Sequence, residues 1–69
     1  MMPCYLVTGN DAAGFCRVAG HYLAQNPQEA IKLLKEAQDA NPHVEANWAA
    51  GLTFKARRSA ARQNALNRG

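Results

Sequence analysis

The chain has 69 residues, 48% of them hydrophobic and only 19% charged, with a formal net charge of +3. That balance excludes a disordered chain. A domain of this length buries only about 60% of the surface its unfolded chain exposes. It therefore holds one core and lacks the material for an enclosed substrate pocket of several hundred Å3. Fourteen of the apolar residues are alanine, which thins that core further and argues for a binding protein rather than an enzyme.

No apolar run approaches the roughly 20 residues that cross a bilayer. The start, MMPCYLV, lacks the basic region and long apolar stretch of a secretory signal. A cytosolic location is expected, with Cys4 and Cys16 kept as thiols.

Residues 4–8 (CYLVT) are β-prone, residues 9–14 (GNDAAG) carry turn chemistry and residues 15–19 (FCRVA) are β-prone again, which predicts a hairpin. With the loop centred on Asn10 and Cys4 opposite Cys16, one face carries Cys4, Leu6, Cys16 and Val18. The other carries Tyr5, Val7, Phe15 and Arg17. The arginine marks the second face as the outer one. Tyr5, Phe15 and Arg17 then form an outer aromatic and cationic patch; the competing reading is that these aromatics belong to the core or only stabilise the hairpin. A register shift of one residue would exchange the two faces.

Asn26-Pro27-Gln28-Glu29 is a helix start, with Asn26 as cap, Pro27 at the first helical position and Glu29 placed for a capping box. Ala30, Ile31, Leu33, Leu34 and Ala37 make the apolar stripe, and Lys32, Lys35, Glu36 and Asp39 the wet side. Lys32 with Glu36 and Lys35 with Asp39 have ion-pair spacing. Asn41-Pro42 ends the helix. Residues 42–50 admit two readings. Val44, Ala46 and Trp48 alternate as in a strand, whereas Asn41-Pro42 could equally cap a short Ala-rich helix ending at Gly51; the alternation favours the strand. Leu52, Phe54 and Ala56 alternating with Thr53, Lys55 and Arg57 predict a half-buried strand. The fold class is α+β, one amphipathic helix packed on a small antiparallel sheet in the order β-β-α-β(β). Residues 1–58 form the single domain, and residues 59–69 a basic, Ala-rich tail, either disordered or helical.

Charge divides along the chain. Residues 1–54 carry three cations and five acids, while residues 55–69 carry Lys55, Arg57, Arg58, Arg62 and Arg68 and no acid. Such a cluster suits nucleic-acid phosphates or an acidic protein surface equally well. A solubilising tail is the competing explanation. The candidate partner-binding residues are Lys55, Arg57, Arg58 and Arg62, with Tyr5, Phe15 and Arg17 as a second surface. No catalytic or metal-binding set emerges. Cys4 and Cys16 lie twelve residues apart, and with His21 and His43 they match no zinc spacing; no cofactor is expected.

The hairpin of CYLVT and FCRVAGHYLA, the proline-capped EAIKLLKEA helix and the strand LTFKARR together resemble the layout of very small phage and mobile-element proteins. In size and element order the chain is similar to some anti-CRISPR proteins over about residues 4–58. The resemblance implies a stoichiometric, non-enzymatic inhibitor in the host cytosol. Such an inhibitor docks on a CRISPR nucleoprotein complex and blocks guide-directed DNA binding or cleavage. The alternative from the residues alone is a small nucleic-acid-binding module built on the basic segment. A regulatory or toxin-antitoxin component is a third reading, which a two-fold oligomer would favour.

Overall fold

A computed structural model describes residues 2–59. Strand β1 (Cys4–Asn10) and strand β2 (Cys16–Leu23) form a hairpin, helix α1 (Pro27–Asp39) crosses the sheet, and strand β3 (Thr53–Arg58) returns along the far edge of β1. The sheet is antiparallel throughout, in the order β2-β1-β3. The expected α+β layout is therefore the observed one, with a single strand after the helix.

The helix starts where the sequence places it. Asn26 is extended and its side-chain oxygen accepts from the Glu29 amide at 2.8 Å, with proline following at the first turn. At the other end the Ala40 amide donates to the Glu36 carbonyl, and the Asn41 side chain accepts from the His43 amide. Ala30 and Leu34 are fully buried against Tyr5 and Val7 of the central strand, with Ile31 and Leu33 packed beside them. Ala37, expected in the apolar stripe, is exposed. Of the expected ion pairs along α1, Lys32–Glu36 does not form and Lys35–Asp39 is replaced by other contacts. Lys35 places its ammonium 4.7 Å from the centre of the Phe54 ring, and Asp39 accepts from Trp48 Nε1 at 2.9 Å.

Three expectations need correcting. The hairpin register pairs Cys4 with Leu23 and Tyr5 with Tyr22, not Cys4 with Cys16. Strand β2 runs on through Gly20-His21-Tyr22-Leu23, so the pairing shifts and the faces of β1 exchange. Tyr5 and Val7 point to the helix, while Leu6 and Thr8 line the other side of the sheet. Residues 42–50 form neither strand nor helix. Their amides close successive short turns, Val44 to Asn41, Trp48 to Glu45 and Ala50 to Asn47. Gly51, at φ +77, then turns the chain into β3.

Trp48 holds this turn segment in place. Its ring meets Phe54 edge-on at 5.6 Å between centroids while its N–H reaches Asp39. An edge-to-face pair contributes about 0.5–1.5 kcal/mol beyond burial. Phe54 in turn lies against Gly9 of β1, its register partner. A Cβ at Gly9 would come within 2.8 Å of both the Phe54 ring and Val18 Cγ1. Neither neighbour can withdraw without unpacking the core. Gly9→Ala should lower the unfolding free energy in urea by about 1–3 kcal/mol, the usual cost of overpacking; an unchanged midpoint would show that Phe54 does not pack there.

Candidate interface on the open sheet face

One face of the sheet is covered by α1 and the Trp48 segment. Among the described residues, no element covers the other. Register fixes its composition in cross-strand rows. Arg57, Leu6 and His21 form one row, Lys55, Thr8 and Ala19 the next, and Thr53, Asn10 and Cys16 a third. The first two rows border an open groove of about 390 Å3 lined by Leu6, Thr8, Lys55, Ala56 and Arg57. Leu23, 43% exposed, extends the apolar strip toward the β2 edge. The face thus has an apolar middle with fixed cations along the β3 side.

The acids lie elsewhere. Glu29, Glu36 and Asp39 are on α1, Glu45 is in the turn segment, and Asp11 is in the hairpin loop. The fold converts the uneven distribution of charge along the chain into a difference between two faces.

The sequence-derived site residues scatter. Lys55 and Arg57 share the open face, but Arg58 pairs in register with Tyr5 and belongs to the opposite side of β3. Tyr5 is only 6% exposed and sits in the core, so it offers no surface to a partner. Phe15 is 67% exposed at the end of the hairpin loop, outside the strands, and the expected Tyr5–Phe15 pair does not form. Arg62 lies outside the described residues. Residues missed from sequence are Leu6 and Leu23, whose exposure depends on the register. The signal that could have found them is Gly9, the one side-chain-free position on β1, which marks the crowded face.

Arg17 is committed locally. Its Nε donates to Asp11 Oδ2 at 2.7 Å, while Asp11 Oδ1 accepts from the Ala13 and Phe15 amides. This side-chain scaffold closes the loop around Gly14 at φ +90. It coincides with the register shift at Gly9/Asn10, a bulge that inserts Arg17 opposite Asn10. The hydrogen bond from Arg17, then that from the Phe15 amide, hold the Asp11 carboxyl below its ordinary value of 3.8.

Among the described residues no group of three or more His, Cys, Asp or Glu side chains is placed to hold a metal ion. Cys4 is buried and Cys16 exposed. No helix of the described residues is long and apolar enough to cross a membrane. No protein-family model, curated protein or solved structure matches the chain.

The Asp11 scaffold carries a signed pH dependence. A carboxylate with a lowered folded pKa contributes stability that is full above its unfolded value and is lost as pH falls through the folded one. NMR titration should therefore place Asp11 below 3.8, and Arg17→Ala should move it upward. A titration in the variant identical to that of the parent would mean the ion pair does not form in solution.

Proposed function

We propose that the chain is a non-enzymatic binding domain that docks its open sheet face on an acidic protein surface. In the form its resemblance suggests, the target is a CRISPR effector complex in the host cytosol, whose DNA binding or cleavage the domain blocks. The observation that carries this reading is the composition of the open face: an apolar strip at Leu6 and Leu23 beside the fixed cations Lys55 and Arg57. Protein interfaces have this arrangement, an apolar middle that excludes water inside a charged rim. Complementary charge there steers encounter and fixes register more than it adds affinity.

Direct nucleic-acid binding is the second reading, supported by the five cations and absence of acids in residues 55–69. The open face favours it less. A sheet that binds single strands stacks bases on exposed aromatics, and the aromatics of these strands, Tyr5, Tyr22 and Phe54, belong to or pack against the core on the helix side.

The test is a target-DNA binding assay with a panel of purified effector complexes, with and without the protein. The parent chain should suppress DNA binding by one of them at stoichiometric amounts. Lys55→Glu with Arg57→Glu should weaken that suppression by about tenfold or more, the equivalent of 1.4 kcal/mol, while leaving the fold intact because both side chains are exposed. Failure to bind any complex overturns the inhibitor reading. Salt-sensitive binding to DNA or RNA alone, lost in the same double variant, would favour the second.

A further inference from the structure

The sheet has two edges, and they are unlike. β3 is guarded by Lys55, Arg57 and Arg58, the means by which natural edge strands discourage pairing. β2 is an eight-residue edge with no proline, and beyond Arg17, which is tied to Asp11, its residues Val18–Leu23 carry no fixed charge. Five of the eight are exposed.

Register and the flanking hydrogen bonds say which backbone groups this edge presents. The Ala24 amide donates to the Pro3 carbonyl, which continues the β1–β2 register by one pair. Hydrogen-bonded pairs alternate along an antiparallel ladder. Tyr22, Gly20 and Val18 therefore face β1 with their backbone groups, and Ala19, His21 and Leu23 point theirs away from the sheet; Arg17, at the bulge, lies outside this alternation.

We propose that the outer edge of β2 pairs with β2 of a second copy of this chain, antiparallel and centred on Gly20, giving a two-fold dimer with a continuous six-stranded sheet. This register places Gly20 on the dyad, where neither copy offers a side chain. Ala19 meets the partner's His21, and the relation recurs by symmetry. On the helix side, Tyr22 comes opposite the partner's Val18, an aromatic and β-branched pair of the kind that stabilises sheets. Gly20 meets the partner's Gly20, where the Tyr22 ring already lies within 2.7 Å of the site a Cβ would occupy. A like-charge clash is absent from every one of these pairs, whereas the same operation on β3 would bring cations together. The dyad puts both helices on one side and joins the two open faces on the other, with Lys55 and Arg57 of each copy at the far margins. The dimer does not depend on what that face binds.

An edge pairing of this length is smaller than a standard interface of roughly 1,600 Å2, so association depends on concentration. Sedimentation equilibrium of the full chain up to roughly 1 mM, the weak end of specific association, should reach twice the chain mass. Amide exchange by NMR over the same range should slow at Ala19, His21 and Leu23 and remain unchanged at Phe54, Ala56 and Arg58, which face outward on β3. Ala19→Lys with His21→Lys, at two exposed positions, should keep the chain at single mass throughout, and Ala19→Pro should do the same by removing an outward donor. Lys55→Glu should leave the dimer intact. A single-chain mass for the parent at every concentration overturns the proposal, as does a dimer whose new protection falls on β3 or that survives both β2 variants.

Discussion

The packing of Ala30 and Leu34 on Tyr5 and Val7 determines most of what this molecule is. Three strands and one helix bury one side of the sheet, and on the other side of β1 only Cys4 is fully buried, so the side of β1 that receives the helix also decides the side that is left open. Once Tyr5 and Val7 are inside, Leu6 and Thr8 must be outside. Gly9 continues the inner face at the point where Phe54 and Val18 close over it, and no larger residue fits between them. Phe54 carries the contact onward to Trp48 and Lys35, and Trp48 reaches Asp39 at the end of the helix. The turn segment of residues 42–50, which has no regular structure of its own, is thereby fastened to both the helix and β3.

The same constraint sorts the charge. Strand β3 alternates, so its covered side carries Phe54 and Ala56 and its wet side Lys55 and Arg57. The helix holds three of the five acids on the far side of the molecule. A small chain with little core thus presents two different surfaces, one mixed in charge and one apolar with a basic margin. That difference supports a binding role more directly than the net charge does, since the hairpin cation Arg17 is neutralised by Asp11 and contributes little to the open face.

Much of the fold was legible because its signals are local. Asn26-Pro27 and Asn41-Pro42 bracket the helix through capping and steric rules that need no tertiary context. The alternation of Leu52, Phe54 and Ala56 located β3 to within a residue. The face of β1 was not legible in the same way. Cys4 and Leu6 are as apolar as Tyr5 and Val7, so alternation alone left two equivalent answers, and the presence of Arg17 decided for the wrong one. Arg17 sits at a bulge, where strand periodicity is broken. The β-prone run spans residues 15–19, yet β2 continues through Gly20-His21 to Leu23, with the Tyr22 ring lying over the glycine. The alternation of Val44, Ala46 and Trp48 suggested a strand, but the Trp48 contacts to Phe54 and Asp39 hold a chain of turns in which no ladder partner is required. The candidate site inherited the register error, which placed Tyr5 on the surface and left Leu6 unrecognised.

The open face exists only because Tyr5 and Val7, and not Leu6, point to the helix. The most direct measurement compares Leu6→Lys with Val7→Lys in equilibrium urea unfolding. The substitution at Leu6, on the open groove, should change stability by about 1 kcal/mol or less, because a lysine there extends its ammonium into water. The substitution at Val7, fully buried beneath Leu34, should cost at least about 3 kcal/mol or abolish folding, because it places an unpaired charge in the core. The reverse order, with Val7→Lys tolerated and Leu6→Lys unfolded, would contradict the register, the open face and the interface built on it.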